Sequence, residues 1–159
     1  MVEQIANPED HADFGILLGL AYQAFVDQLR TDLERRGFPD LTPTVGYVVR
    51  AIAASAEPPS QRELAAHLGI TDQGAGKIVN DLVERGFVTR RPSRSDARAN
   101  EIHLAARGKR LLAAARRFHA RFEALLGAEV GTEAAVTRRV LTAIAASADD
   151  SAAGRLRAT

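Results

Sequence analysis

Apolar residues recur at intervals of three and four along most of this 159-residue chain, and this is the spacing of one buried face of an α-helix. One long pattern of this kind runs from Asp13 to Arg36, and another from about Ala106 to Val130. Shorter ones cover Leu41 to Ala54 and a segment that Thr132 opens, and two more lie in the middle of the chain. The chain is therefore predicted to be mainly α, with about six helices.

The middle of the chain predicts two short helices joined by a tight turn. Ser60 precedes Glu63 by three residues, so the hydroxyl and the carboxylate can cap the start of the first helix reciprocally. Gly69 favours the left-handed residue that ends a helix, and Thr71 is a good N-cap for the second helix, which Gly86 ends. The buried face of the second helix is predicted from its apolar spacing to be Ala75, Ile78, Val79, Leu82 and Val83.

Two short strands are predicted next, from Phe87 to Arg91 and from Glu101 to Leu104, with Ile102 and Leu104 facing inward. Between them lies PSRSDARAN, whose Pro, Ser, Asp and Asn favour a turn. Helix, turn, helix and then a short β-hairpin wing form a winged helix-turn-helix. In that fold the second helix can lie in the major groove of DNA while the hairpin reaches the adjacent minor groove.

The exposed side of the second helix and the hairpin loop carry side chains suited to DNA. Gln and Asn can make paired hydrogen bonds to adenine, and Lys can reach guanine or phosphate, so Gln73, Lys77 and Asn80 are predicted to contact bases. Arg98 is predicted to enter a narrow minor groove, positioned by Asp96. With the phosphate contacts expected around them, the predicted DNA-binding set is Ser60, Gln61, Arg62, Asp72, Gln73, Gly74, Gly76, Lys77, Asn80, Arg90, Arg91, Ser93, Arg94, Asp96 and Arg98.

Two parts of this set allow a second interpretation. Gly74 and Gly76 each cost roughly 1 kcal/mol in helix propensity, and either close approach of the backbone to DNA or a frayed first turn would explain them. The arginine-rich loop, taken alone, is typical of a solvated charged surface. Its position directly after a helix-turn-helix favours DNA.

The net charge of +1 is small for a DNA-binding protein, but the charge is unevenly distributed. Residues 60–110 contain ten Arg or Lys and six Asp or Glu, a net charge of +4. The rest of the chain contains eleven basic and fourteen acidic residues, a net charge of −3. Basic charge is thus concentrated in the predicted DNA-binding segment, where phosphate neutralisation requires it.

The segment GFVTRRPSRSDARANEIHLAARGKRLL resembles the MarR family of bacterial transcription regulators, whose pattern is G-L-V-x-R, D-x-R and L-T-x-x-G-x-x-L. The resemblance covers nearly the whole chain, since the family also has a long N-terminal helix and two C-terminal helices. Ala105 stands where the family usually has Thr, which removes an N-cap, and Gly74 and Gly76 are atypical. The resemblance implies a homodimer that represses by binding a pseudo-palindromic operator in double-stranded DNA.

The N- and C-terminal helices are predicted to form a dimerisation lobe, because their apolar residues follow the intervals of four and three typical of helix-on-helix packing. The predicted division is a dimerisation helix at 1–37, the winged helix at 38–105, dimerisation helices at 106–148 and a flexible tail at 149–159. The last helix is predicted to turn Val136, Val140, Leu141 and Ile144 inward. The predicted dimer interface consists of Phe14, Leu18, Ala21, Leu111, Phe118, Phe122, Leu125, Val140, Leu141 and Ile144.

The same resemblance implies a cleft between the dimer and DNA lobes, where a small aromatic or lipophilic effector would bind and release the DNA. The residues predicted to line it are Phe14, Leu17, Leu18, Tyr22, Tyr47, Arg50 and Phe118. For the apolar ones a plain core role is the alternative. Tyr22, Tyr47 and Arg50 favour the cleft more strongly, since their polar ends need a partner.

Other classes of function are not favoured by the sequence. The chain has no cysteine, which excludes a disulfide framework and thiolate catalysis. Its four histidines are scattered, and although His119 and Glu123 lie one helical turn apart, no metal, cofactor or enzymatic activity is predicted. No secretory signal and no apolar stretch of about 20 residues is visible, so a cytoplasmic protein without a membrane partner is expected.

Two alternatives to a ligand-controlled repressor remain open. One is a winged helix used for protein–protein contact, which the acidic residues Asp72, Asp81 and Glu84 on the second helix favour. The other is a DNA-binding protein without ligand control.

Overall fold

The computed structural model describes residues 13–93 and 100–147. Within these ranges the chain forms six α-helices and one two-stranded antiparallel sheet, which confirms the predicted mainly α winged helix. It divides into two compact units, Met1–Pro39 and Asp40–Thr159. The elements are α1 (Phe14–Arg35), α2 (Pro43–Ala54), α3 (Gln61–Leu68), α4 (Asp72–Glu84), β1 (Val88–Pro92), β2 (Asn100–Leu104), α5 (Ala106–Val130) and α6 (Glu133–Ser147).

The first unit is built on α1, which ends in a regular closing motif. The backbone N–H groups of Gly37 and Phe38 donate to the carbonyls of Glu34 and Leu33, each at 3.0 Å, so that two carbonyls left over at the helix end are satisfied. Leu33 and Phe38 are both buried. At the other end of the apolar stripe, Phe14 is 59% exposed.

In the second unit, α3 and α4 begin with the predicted caps. The Glu63 N–H donates to Ser60 Oγ at 3.2 Å, and the Ser60 N–H donates to Glu63 Oε2 at 2.7 Å. The Gly74 N–H donates to Thr71 Oγ1 at 3.1 Å. The first turn of α4 is therefore a capped helical turn, and a frayed first turn does not explain its glycines.

The buried face of α4 is narrower than its sequence predicts. Ala75, Val79 and Leu82 are fully buried. Ile78 is half-buried and Val83 is 37% exposed, so the prediction that Val83 is buried is wrong. With about 3.6 residues per turn, Ile78 and Val83 flank the central stripe on opposite sides.

The first strand of the wing begins one residue later than predicted, because Phe87 takes part in the closing turn after α4, and the second begins one residue earlier, at Asn100. Gly86 has a φ of 70°, and the Phe87 N–H donates to the Leu82 carbonyl at 2.8 Å. The Phe87 side chain is fully buried. β1 and β2 then pair in register from Val88 opposite Leu104 to Pro92 opposite Asn100.

The wing is bonded to the segment before α3 at the middle of β2, and a further backbone bond closes its base. The Ile102 N–H donates to the Pro59 carbonyl at 2.8 Å, and the Ala105 N–H donates to the Phe87 carbonyl at 2.9 Å. Ile102 is buried as predicted, whereas Leu104 is half-buried. The core of the unit combines residues of α2, α3, α4, the wing and the first half of α5, namely Val45, Val48, Val49, Ala51, Ile52, Leu64, Ala65, Ala75, Val79, Leu82, Phe87, Val88, Ile102, Leu111, Ala114 and Phe118.

The last helix does not turn its apolar side chains inward, so that prediction is wrong for a single chain. In α6, Val136, Val140 and Leu141 are 48%, 40% and 45% exposed, and Ile144 is half-buried. The second half of α5 is similar, with Leu125 65% exposed. These side chains extend beyond the core, which ends at Phe118.

No helix within the described ranges combines the length and the apolar character needed to cross a bilayer.

Candidate nucleic-acid interface

The outer face of α4 presents polar side chains at helical spacing. Gln73, Lys77 and Asn80 are exposed at intervals of four and three, on the side opposite the buried stripe. Among the described residues, Gln73 and Lys77 make no side-chain hydrogen bond, so their donors and acceptors face solvent. An α-helix with such a face has the dimensions to enter the major groove of DNA.

Asn80, by contrast, is bonded to the wing. Nη1 of Arg90, on β1, donates to Asn80 Oδ1 at 2.7 Å, a short charge-assisted hydrogen bond. Nη2 of the same guanidinium lies 3.5 Å from Gln61 Oε1, a weaker contact. Two predicted DNA-binding residues of different elements are thereby joined, which their positions in the sequence do not indicate.

Gln61, predicted to contact phosphate, holds α3 against the start of α4. Its Nε2 donates to the backbone carbonyl of Asp72 at 3.0 Å and to Asp72 Oδ1 at 3.1 Å. The Gln61 amide also covers Gly76, where an added Cβ would lie 3.0 Å from Nε2 and 3.3 Å from Cδ. Gly76 thus leaves room for the Gln61 side chain, an explanation that neither sequence interpretation of this glycine included.

At the start of α3, Ser60 is hydrogen-bonded within the protein, whereas Arg62 is exposed to solvent. The Ser60 hydroxyl accepts from the Glu63 backbone and lies 2.8 Å from Glu63 Oε2. Hydrogen bonds from the backbone N–H and then the hydroxyl of Ser60 lower the pKa of Glu63, because they stabilise the charged carboxylate. Arg62 is exposed and forms no ion pair among the described residues.

The described part of the wing carries Arg90, Arg91 and Ser93. Arg90 and Arg91 are exposed on β1, and Ser93 is half-buried just after it. The predicted contacts at Arg94, Asp96 and Arg98 lie outside the described residues. The predicted flexible tail at 149–159 lies outside them as well.

Two arginines counted in the basic segment are used within the fold. Arg85 and Arg107 lie over the Phe87 ring, 5.3 and 4.8 Å from its centroid. Arg107 also donates to the Arg85 carbonyl at 3.1 Å, and Arg85 donates to the Asp40 carbonyl at 3.0 Å. The net charge of residues 60–110 therefore overstates the positive charge that is available to DNA. In the sequence, only the aromatic residue Phe87, between α4 and β1, indicates that two arginines pack there.

The residues predicted to line a ligand cleft are divided between the two units. Phe14, Leu17, Leu18 and Tyr22 belong to α1; Tyr47 and Arg50 belong to α2, and Phe118 belongs to α5. Within the second unit, Phe118 is buried and stacks on Phe122 with ring centroids 6.0 Å apart. Tyr47 is 60% exposed, and Arg50 is exposed.

His119, next to Phe118, is affected by its surroundings. Burial lowers the pKa of His119, repulsion from the Arg50 guanidinium lowers it further, and Glu123 partly offsets both. Glu123 itself lies 3.1 Å from Arg138 of α6. The ion pair with Arg138 gives Glu123 a partner other than a metal.

The comparison with protein families matches this geometry. Residues 40–99 match the model of the MarR family. This segment, which contains α2, α3, α4 and β1, is similar to the MarR family. Proteins of this family are DNA-binding transcription regulators and not enzymes. A comparison with curated proteins gave no match.

Solved structures confirm the fold across most of the chain. FabT of Streptococcus pneumoniae in complex with DNA is 22% identical, with a TM-score of 0.68, and the match covers 87% of this chain and 99% of FabT. The S. aureus MepR–DNA complex is 19% identical, with a TM-score of 0.65, covering 86% and 98%. Tm0710 of Thermotoga maritima is 20% identical, with a TM-score of 0.58, covering 85% and 92%.

Proposed function

We propose that this protein binds a pseudo-palindromic DNA operator as a homodimer and represses transcription there. The observation that carries the proposal is that α4 is joined to β1 through the Arg90–Asn80 pair, with Gln73 and Lys77 exposed on α4 and Arg91 exposed on β1. FabT and MepR, which share the fold, have been crystallised with DNA. Such a role would place the protein with the chromosome, in the cytoplasm.

A two-fold dimer would present two copies of α4 about one DNA turn apart. Each unit has exposed apolar side chains that a second subunit would cover: Ile16 and Leu20 on α1, and Leu125 and Val140 on α5 and α6. Apolar burial of this kind drives most subunit association. Leu111 and Phe118 are buried in the core of the single chain, so these two residues leave the predicted interface. The other eight predicted interface residues and the dimerisation segments at 1–37 and 106–148 remain part of the proposal.

Selection of bound fragments from random double-stranded DNA tests the proposal directly. Two inverted half-sites separated by roughly 10 base pairs, centre to centre, are expected. Arg98→Ala is expected to weaken binding to the selected site by about 1–3 kcal/mol while the subunits stay associated. Failure to recover any common sequence would contradict operator binding.

Use of the winged helix for protein contact is favoured by one observation, the acidic residues of α4. The structure reduces its weight, since Asp72 accepts from Gln61 and Asp81 pairs with Arg85 at 3.3 Å. Glu84 remains exposed. Salt separates the two functions, because affinity for DNA should fall steeply between low and physiological ionic strength. Random-sequence DNA binding that ignores salt would favour the protein partner.

Release by a small aromatic or lipophilic effector is the remaining part of the proposal. Tyr22 and Tyr47 are exposed on α1 and α2, and amphipathic rings of this kind suit a ligand with an apolar body and a polar end. A thermal-shift screen of aromatic and lipophilic acids, followed by gel-shift titration of each hit, is the test. If no compound alters melting or DNA affinity, the protein is a DNA-binding regulator without ligand control.

A further inference from the structure

The hydrogen bonds that join α4 to the wing have only one possible direction. A guanidinium donates and cannot accept, so the atom of Asn80 that faces Arg90 must be its carbonyl oxygen, as the 2.7 Å contact has it. The same reasoning fixes Gln61, whose Nε2 faces two acceptors on Asp72 and whose Oε1 faces Arg90. The amide orientations follow from chemistry alone.

The pair formed by Asn80 and Arg90 is supported by Gln61 of α3. Gln61 fills the space that Gly76 leaves open and is anchored on Asp72 at the start of α4. Its carbonyl oxygen then supports the second nitrogen of the Arg90 guanidinium. The Arg90 side chain therefore extends from β1 toward α4, and both Asn80 and Arg90 remain exposed.

This arrangement changes what Asn80 can recognise. An asparagine that binds adenine in the major groove uses its amide N–H for the acceptor N7 and its carbonyl oxygen for the donor N6. Here one of the two lone pairs of the Asn80 carbonyl oxygen accepts from Arg90. The positively charged guanidinium beside this oxygen disfavours the approach of a second donor such as adenine N6, so the groups that Asn80 offers to DNA are its N–H groups. Arg90 adds further N–H donors and no acceptor.

We propose that Asn80 and Arg90 act as one donor-only unit, which binds an acceptor-only group of DNA and discriminates against adenine. Guanine is the base whose major-groove edge presents two acceptors, O6 and N7, and a backbone phosphate also presents acceptors only, so these are the two candidates for a joint contact. The inference rests on the proposed function and refines it, since it replaces a separate base contact by Asn80 and phosphate contact by Arg90 with a single joint contact.

The test combines fragment selection with gel-shift titration on the full chain, using Asn80→Ala, Arg90→Ala, Arg90→Lys and the double alanine variant. Arg91→Ala is the charge-matched comparison, because Arg91 is the next residue of β1 and has no polar partner among the described residues. All these side chains are exposed, and thermal melting checks that each variant folds.

Asn80→Ala and Arg90→Ala are each expected to weaken binding by about tenfold, within the range of a paired base contact. The double variant should be little weaker than either single one, because the two residues act together. Arg90→Lys should resemble Arg90→Ala, since an ammonium cannot bridge two carbonyls as a planar fork does. Arg91→Ala should add independently to Asn80→Ala.

The base frequencies distinguish the two acceptors. If the unit binds guanine, the position altered by Asn80→Ala is guanine for the unmodified protein, and Arg90→Ala enriches adenine there, because the Asn80 carbonyl is then free. If it binds phosphate, base frequencies stay unchanged and Arg90→Ala lowers the salt slope by about one. Either result supports the donor-only unit.

Two results would overturn the inference while leaving the proposed function intact. One is additivity of Asn80→Ala and Arg90→Ala, and the other is adenine at the altered position for the unmodified protein. If the unmodified protein selects no DNA and shows no salt-dependent binding, the proposed function itself fails and the inference falls with it.

Discussion

Gly108 shows how a single small residue permits two elements to meet. A Cβ at this position would lie 2.2 Å from the Phe87 carbonyl oxygen, far inside contact distance. That carbonyl accepts the Ala105 N–H at 2.9 Å, so it has little freedom to move. The glycine in the predicted family pattern is thus explained by the backbone of a residue 21 positions earlier. Gly76 differs, because a Cβ there would meet only the end of the Gln61 side chain, at 3.0 Å.

Gly108→Ala is expected to lower the free energy of unfolding by about 1–3 kcal/mol, because the added methyl forces the start of α5 away from Phe87. Gly46→Ala, in α2, is the matched control. A Cβ at Gly46 would meet no described atom within 4 Å, so the substitution should raise stability by about 0.5–1 kcal/mol. Urea unfolding of both variants is the measurement, and equal effects would contradict the explanation.

Ala105 is the second position at which one side chain decides a local stability. It occupies the N-cap of α5 with φ −73° and ψ 171°, a conformation that suits a capping Ser or Thr. Its methyl group cannot accept a hydrogen bond from the first turn.

Ala105→Ser is therefore expected to raise the free energy of unfolding by about 0.5–1 kcal/mol. Ala66→Ser, on the exposed face of α3, should instead lower it by a few tenths, since Ser is a weaker helix former. Thermal melting and urea titration measure both. A loss of stability at Ala105→Ser would show that the serine hydroxyl does not reach the first turn.

At the scale of elements, α2 and α5 place a histidine beside a positive charge. Arg50 of α2 acts on His119 of α5, and burial has the larger effect in lowering the pKa of His119 below its ordinary value of 6.5. The folded chain thus releases this proton more readily than the unfolded chain. Between the folded and the unfolded pKa, the unfolded state binds more protons.

Stability is consequently expected to fall as the pH drops below 6.5 toward the folded pKa of His119. His119→Gln should flatten this part of the profile of unfolding free energy against pH. His67→Gln, on the exposed side of α3, provides the control for losing a histidine elsewhere. If the His119 variant and the unmodified protein gave profiles of equal slope, protonation of His119 would not be the cause of the loss of stability.

At the scale of the whole molecule, exposed apolar surface supports the proposed homodimer. Val140 and Leu141 on α6 are 40% and 45% exposed, beyond the end of the core. Removing such side chains from water stabilises an assembly by about 25 cal/mol for each Å² of apolar area. The proposed homodimer would cover them.

Val140→Asp combined with Leu141→Asp is expected to convert the dimer to a monomer, since two carboxylates would have to be buried without partners. The affinity of the double variant for a full operator should then be no higher than its affinity for a half-site, because the two subunits no longer bind both half-sites together. Thr44→Glu, exposed on α2, controls for added negative charge. Sedimentation and gel-shift titration are the measurements, and an unmodified protein that sediments as a monomer would contradict the dimer.

The sequence by itself determined the helices, their caps and the order of elements, because these depend on neighbours in the chain. The Ser60–Glu63 box, the Thr71 cap and the helical stripes lie within a few residues of one another. Tertiary structure alone decided which of the predicted contacts belong together. Asn80 bonds to Arg90, Gln61 covers Gly76, and two arginines lie over the buried Phe87 ring. Each of these contacts joins residues that are brought together only when the chain folds.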